Sequence, residues 1–361
     1  MKILYNIAAT WNSGGMERVL AIKANWLASH GYTIIVATTD KRGLPHAFQM
    51  DPSIEFHDLG INYDENNGGH LISKLLAFPL KQYRHRKRLK KLLYQIKPDV
   101  TVSMFCNEVS ILPGIKDGSK KVLEVHFSRF KRLQYGRHGL WSVVDVWRNK
   151  HDEVLAKRFD RFVVLTKEDK GYWGNLDNIR VIPNPRTFVF DRSSSLDSNT
   201  VLAVGRYSYQ KGYDLLLKAW GMIDTDGWTL RIAGSGDPIE GCPSNVILGP
   251  SNNIAEEYQN AAFLVLSSRY EGLPMVLLEA QAAGLPAVSF ACKCGPKDVI
   301  TDGVDGILVP EGDVEGLAFG MKKLMEDIHL RKKMGSAAFD NSGRFDKEKI
   351  MALWESLFRE L

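Results

Sequence analysis

Five apolar residues in a row, Ala262-Phe-Leu-Val-Leu266, run into a polar loop, and a helical pattern follows that opens at Pro274 and stops at Gly284. A short apolar run of this kind reads as a buried strand, and proline in the first turn with glycine just past the last marks a helix. The stretch therefore reads as a strand joined to a helix by a short loop, the repeating unit of α/β folds with parallel sheets. The loop at 267–273 then falls beyond the carboxyl end of a strand, where open sheets bind ligands, and beside a helix N-terminus, whose free N–H groups favour oxygen-rich ligands. Glu271 sits in that loop and Glu279 in the helix behind it. The helix rises about 7.5 Å from Pro274 to Glu279, so a ligand meeting both carboxylates must be extended. On spacing alone, a solvated face and a cap is the better account of the two acids.

The same alternation runs through the chain. Strand patterns at residues 2–8, 33–38, 98–104, 121–126, 160–166 and 180–182 precede a polar linker at 193–199. Further strands follow at 201–205, 228–233, 245–248, 286–290 and 306–309, with helices at about 213–220 and 314–326 and a terminal one over 347–361. A length of 361 residues suits two domains, each with its own core. With 44% hydrophobic and 25% charged residues the chain reads as a soluble protein. It opens directly on a strand, and no apolar run approaches the eighteen or so residues of a spanning helix, which places it in the cytoplasm. Cys106, Cys242, Cys292 and Cys294 have no metal-site spacing and read as free thiols.

Several loops carry candidate chemistry. Gly14-Gly15 before the first helix lacks the spacing of a dinucleotide fingerprint and can be a tight turn, with Glu17 favoured at the helix start. His126 closes a strand, a place where packing or capping is the usual role. Arg206 and Lys211 lie in a loop after a strand, and a fork and a point charge suit phosphate oxygens. Asp224-Thr-Asp226 precedes Gly227 and a strand, and reads as a surface turn rather than a metal site.

Arg-Tyr-Glu-Gly-Leu-Pro-Met-Val-Leu-Leu-Glu-Ala, with Glu271 and Glu279 separated by seven residues, resembles the E-x7-E signature of the retaining nucleotide-sugar glycosyltransferases, family four, of the GT-B fold. Gly-Arg-x4-Lys-Gly at 205–212 and Gly-Gly-x-Glu at 14–17 resemble two further motifs of that family. The resemblance implies two Rossmann-like domains facing across a cleft. Residues 1–186, with 345–361 returning to them, would form an acceptor domain, and residues 187–344 a donor domain. It implies that Glu271 and the backbone of Gly272, Leu273, Pro274 and Met275 meet the donor hexose, and that Glu279 holds the ribose. Arg206 and Lys211 would stabilise the leaving diphosphate, with Gly15 and Gly234 in loops close to the donor and His126 near the transferred sugar. By the same analogy Glu271 is no nucleophile, and the departing phosphate takes the acceptor proton on the same face. No metal or other cofactor is expected. Cys294-Gly-Pro-Lys-Asp298 departs from the Gly-Gly and glutamate of many relatives, with Asp298 at the acidic position.

Residues 81–97 hold eight Lys or Arg and no acid, with Leu89, Leu92, Leu93 and Ile96 at helical spacing. Such a run can be a solvated face, or a contact with nucleic acid or an anionic membrane. No nucleic-acid motif accompanies it, whereas Leu71, Ile72, Leu75, Leu76, Phe78 and Leu80 lie just upstream. A membrane contact through Arg84, Arg86, Lys87 and Arg88 is expected. The chain is also similar to bacterial enzymes of capsule, exopolysaccharide, lipopolysaccharide and lipid-linked oligosaccharide assembly. That similarity implies a nucleotide-sugar donor and a glycan or polyprenyl-diphosphate-linked acceptor at the inner leaflet; the sequence does not name the base, and a UDP-sugar is expected before a GDP-sugar. The alternatives are a soluble transferase acting on a glucan or small molecule, and a non-catalytic sugar-nucleotide-binding scaffold.

Overall fold

The computed structural model describes residues 1–66, 71–131, 133 and 139–361, and the chain forms two compact units. The first comprises Met1–Val164, Lys170–Ile182 and Met351–Leu361; the second comprises Leu165–Asp169 and Pro183–Ile350.

In the first unit the elements run β1 (Lys2–Ile7), α1 (Gly15–Ser29), β2 (Thr33–Thr38), β3 (Glu55–Asp58), α2 (Leu71–Ile96), β4 (Val100–Ser103), β5 (Lys120–Glu124), α3 (Leu140–Ala156), β6 (Arg161–Val164) and β7 (Ile179–Val181), while α4 (Lys167–Tyr172) begins in the second unit and ends in the first. The seven strands are parallel in the order β3-β2-β1-β4-β5-β6-β7. Strand order reverses between β1 and β4, the switch point at which open sheets take ligands. β3 has no apolar run to announce it. Glu-Phe-His-Asp is half exposed and is a strand because it pairs with β2 at the sheet edge. β5 ends at Glu124, so His126 lies two residues past the strand and does not close it.

α2 is longer than its basic segment, 26 residues with Pro79 inside. Leu89, Leu92 and Leu93 enter the core with His85, which is 1% exposed and pairs through Nδ1 with the Tyr63 hydroxyl at 3.1 Å. Burial pulls the His85 imidazole down to about 4. The folded state resists a proton that the unfolded chain accepts near 6.5, so stability present at pH 7 is lost as the pH falls from about 6.5 to 4, by about 3 kcal/mol in all. Urea titrations of wild type and His85→Phe at pH 7.5 and 4.5 are expected to show a markedly smaller acid loss in the variant. Equal losses would refute the assignment.

The second unit runs β8 (Thr200–Val204), α5 (Tyr213–Trp220), β9 (Thr229–Ala233), β10 (Val246–Gly249), α6 (Ile254–Asn260), β11 (Phe263–Leu266), α7 (Met275–Ala282), β12 (Ala287–Phe290), α8 (Pro296–Val299), β13 (Gly306–Val309), α9 (Val314–Glu326) and α10 (Ile328–Ser342). Its six parallel strands are ordered β10-β9-β8-β11-β12-β13, with the reversal between β8 and β11. Leu264, Val265 and Leu266 are at most 4% exposed, as a central parallel strand requires. α3, α6 and α10 were not anticipated; α6 and α10 are capped by Asn253 and Asp327, whose side chains accept from Glu256 and Leu330 N–H.

The last helix, α11 (Lys347–Arg359), returns to the first unit. Trp354 is buried, the Tyr32 hydroxyl donates to Glu355 at 2.7 Å, and Glu360 lies 3.6 Å from both Arg161 and Arg180.

Candidate active site

In the second unit the two loops flanking the strand reversal are stitched together. Gln210 Nε2 donates to the Tyr270 carbonyl at 3.0 Å, Arg269 N–H donates to the Gln210 carbonyl at 2.8 Å, and the Ser267 hydroxyl donates to the Lys211 carbonyl at 2.9 Å. Arg269 forms a fork with Asp214 at 2.9 and 2.6 Å and lies 4.1 Å over the Tyr209 ring. A third loop joins them: Tyr207 donates its backbone N–H to the Ser235 carbonyl and accepts at its own from Asp237 N–H. Here the approach of two backbones excludes side chains, since a Cβ on Gly234 would fall 2.0 Å from the Gly205 oxygen.

This frame brings Lys211 and Glu271 together, with Nζ 2.7 Å from Oε1 and the two side chains 16% and 8% exposed. Arg206, at the head of the same loop, is exposed. Tyr213 was not anticipated as a site residue. Its hydroxyl is buried without a hydrogen-bond partner, 3.1 Å from where a Gly205 Cβ would stand, and burial, Tyr207 and Glu271 all push its pKa upward. Leu273 and Pro274 are buried beneath the loop, with Gly272 and Met275 partly exposed. A carboxylate, a lysine and an arginine at one switch point can accept from hydroxyls and donate to phosphate oxygens.

Glu279 lies on α7, one turn and more behind the loop. It is 2% exposed, and Oε2 accepts from the Tyr258 hydroxyl at 2.7 Å. Asp298 accepts from the Lys167 N–H at 2.9 Å and so starts α4, while Lys297 pairs with Glu168 at 2.6 Å. Gly295 packs against the loop that leads into α7, its φ at +97° and a Cβ there 2.4 Å from Pro274 Cδ. Asp224 accepts from Asp226 N–H at 3.1 Å in the turn before β9.

In the first unit, Gly15 is exposed as the first residue of α1, and the tight approach falls on Gly14, where a Cβ would lie 2.5 Å from Glu17 Oε2. His126 Nε2 lies 3.1 Å from Glu124 Oε1, near enough for charge attraction though not aligned as a hydrogen bond. Lys23 and Glu124, both buried, were missed by sequence reasoning, since a lysine within an amphipathic helix carries no signal of its own.

On α2, Arg84, Arg86, Lys87 and Arg88 are exposed beside Phe78, Leu80 and Tyr83. Arg88 also donates to the Leu59 and Gly60 carbonyls, the second at 2.9 Å, so it braces a loop. The side chains of Leu71, Ile72, Leu75 and Leu76 lie outside the described residues. α3 shows a second face of the same kind, with Val143, Val146, Trp147 and Val154 exposed among Arg148, Lys150, Lys157 and Arg158. Both helices feed one core cluster, α2 through its leucines and α3 through Ala156. No helix among the described residues is long and apolar enough to cross a membrane.

Two Rossmann-like parallel-sheet units, the second gathering cations and a carboxylate at its switch point, make up the GT-B class of glycosyltransferase fold. The chain belongs to the family-four, group 1 glycosyltransferases: residues 13–186 match the model described as Glycosyltransferase Family 4, and residues 186–340 the one described as Glycosyl transferases group 1. It is 35% identical to the amylovoran biosynthesis glycosyltransferase AmsD of Erwinia amylovora, over 99% of each chain. It is 28% identical, over 100% of this chain and 99% of the relative, to a Campylobacter jejuni α-1,4-N-acetyl-D-galactosaminyltransferase named for an undecaprenol-diphosphate-linked glycan. Among solved structures, a sucrose-phosphate synthase from Thermosynechococcus elongatus superposes with a TM-score of 0.83 at 17% identity, covering 99% of this chain and 98% of that one. The lipopolysaccharide outer core galactosyltransferase WaaB superposes with 0.74 at 20%, covering all of both chains; at these identities the likeness is one of fold.

Proposed function

We propose that this glycosyltransferase moves a hexose, with retention, from a UDP-sugar to a hydroxyl of a lipid-linked glycan during assembly of a cell-surface polysaccharide. The observation that carries the reading is the Lys211–Glu271 pair with Arg206 in the same loop. The bond from the anomeric carbon to the β-phosphate oxygen breaks, and the acceptor oxygen forms the new bond on the same face. The acceptor proton passes to the departing phosphate, giving a nucleoside diphosphate and the glycoside. Arg206 and Lys211 donate to the phosphate as its charge grows. Glu271, already paired with a lysine, serves as an acceptor for sugar hydroxyls rather than as a nucleophile. No metal or other cofactor takes part in this scheme. Relatives in amylovoran and undecaprenol-linked glycan assembly support the class of acceptor. Magnetic resonance of wild type and Glu271→Ala with a panel of sugar nucleotides tests it: one UDP-sugar is hydrolysed slowly by wild type and not by the variant. Turnover of a GDP-sugar alone would overturn the choice of base, and inversion at the anomeric carbon would overturn retention.

The acceptor would be met at the inner leaflet, with the outer faces of α2 and α3 on the anionic surface. Aromatic and valine side chains among arginines and lysines suit that interface. Each cation contributes about 1 kcal/mol there, so the triple change Arg84→Gln, Arg86→Gln and Lys87→Gln is expected to weaken flotation on phosphatidylserine vesicles about a hundredfold. Trp147→Ala is expected to weaken it on neutral vesicles as well. Equal flotation of wild type and triple variant would reject the membrane face.

A further inference from the structure

Beneath the loop that carries His126 lies a lysine with no exposed surface. Lys23, on the inner side of α1, is 0% exposed, and its Nζ donates to both oxygens of Glu124 at 2.6 and 2.5 Å. The ammonium also lies 3.8 Å from the Trp354 ring centroid and 5.3 Å from that of Tyr5. Glu124 is 1% exposed, and its Oε1 is the atom 3.1 Å from His126 Nε2. A buried ion pair is a costly way to fill a core, because apolar side chains of the same volume are often as stable or more so. Its position under His126 supplies another reason for it.

Burial pushes the Glu124 carboxyl upward, but the Lys23 ammonium bound to both of its oxygens outweighs burial and holds the group low and ionised. Nε2 and Oε1 are 3.1 Å apart without hydrogen-bond alignment, and at that distance a ring lone pair would be repelled by the carboxylate where an N–H is attracted, so in the neutral imidazole Nε2 carries the proton and Nδ1 keeps its lone pair. We infer that Glu124 and Lys23 are positioning residues for sugar transfer: Glu124 fixes His126 as the Nε2–H tautomer, so that Nδ1 accepts a hydrogen bond from a substrate hydroxyl. Lys23 balances Glu124, so the carboxylate that orients the ring adds no unpaired buried charge. This rests on the reading of His126 as a sugar-facing residue.

Protein labelled with 15N-histidine tests the arrangement, the His126 signal being assigned by its loss in His126→Ala. Wild type is expected to show the Nε2–H tautomer. In Glu124→Gln, whose amide can donate to the ring, the signal shifts toward the Nδ1–H form, and kcat falls 10- to 100-fold with donor KM within twofold. Lys23→Met alone leaves a buried carboxylate unpaired and can fail to fold, so the informative variant is Lys23→Met with Glu124→Gln. That double variant is expected to melt close to wild type and to be no slower than Glu124→Gln, since Lys23 acts only through Glu124. Wild-type tautomer and kcat in the double variant, with His126→Ala inactive, would make the pair purely structural and overturn the inference. Full turnover by His126→Ala would instead remove the role given to His126, and the inference with it.

Discussion

Glu271→Gln is expected to lower kcat at least a thousandfold while the protein melts within a few degrees of wild type. The substitution keeps the volume of a side chain that is 8% exposed and removes only its charge, so the fold loses one half-buried ion pair with Lys211. What the reaction loses is larger. The carboxylate that should hold the hexose hydroxyls is gone, and the lysine that should follow the leaving phosphate loses the partner that fixes its position. Lys211→Met removes one donor to a developing phosphate charge, an effect of about 10² to 10³ in kcat in comparable anion sites. The two changes share one ion pair, so their effects should fall well short of additive, and the cycle through the double variant measures the shortfall. Steady-state hydrolysis of the donor is the readout. More than a tenth of wild-type turnover in Glu271→Gln, or a covalent glycosyl adduct on Glu271, would rule out the role assigned here.

The places of Glu271, Lys211 and Arg206 in loops after β11 and β8 were legible because each follows a strand pattern, but spacing alone favoured a solvated face and a cap, and the roles proposed for them come from the family motifs. The central strands were legible for the same reason: Phe263–Leu266 and Thr33–Thr38 are apolar runs bounded by turn residues, and the structure has them as β11 and β2. β3 was not, because an edge strand with a polar sequence owes its shape to its neighbour. Nor was the enclosure of Glu279, since the Tyr258 hydroxyl that reaches it comes from α6, a helix of seven residues with little periodicity to read. Lys23 shows the limit most plainly. Its helix was legible, but a lysine on the buried face is explained only by Glu124, 101 residues away. Spacing reports what one element places side by side, whereas such pairs are made by sheet order.

Gly212→Ala should be among the most damaging single methyl groups in the second unit. Gly212 has φ of +63°, a region costly for L side chains, and the added Cβ would lie 2.2 Å from the Ser267 carbonyl oxygen. That oxygen is backbone, fixed in the loop whose hydroxyl bonds Lys211, so relief requires the two stitched loops to part. Strain and collision together should cost about 3 kcal/mol of stability. They should also cost about a hundredfold in kcat, because Lys211 is the residue displaced. Gly312→Ala separates the two causes: its φ is +79°, with nothing within 4 Å of the new Cβ. That variant should lose about 1 kcal/mol from strain alone and keep full turnover. Thermal melts and donor hydrolysis on both variants decide the matter. If Gly212→Ala behaves like Gly312→Ala, the loops are not held as close as the stitching requires, and the Lys211–Glu271 geometry does not depend on them.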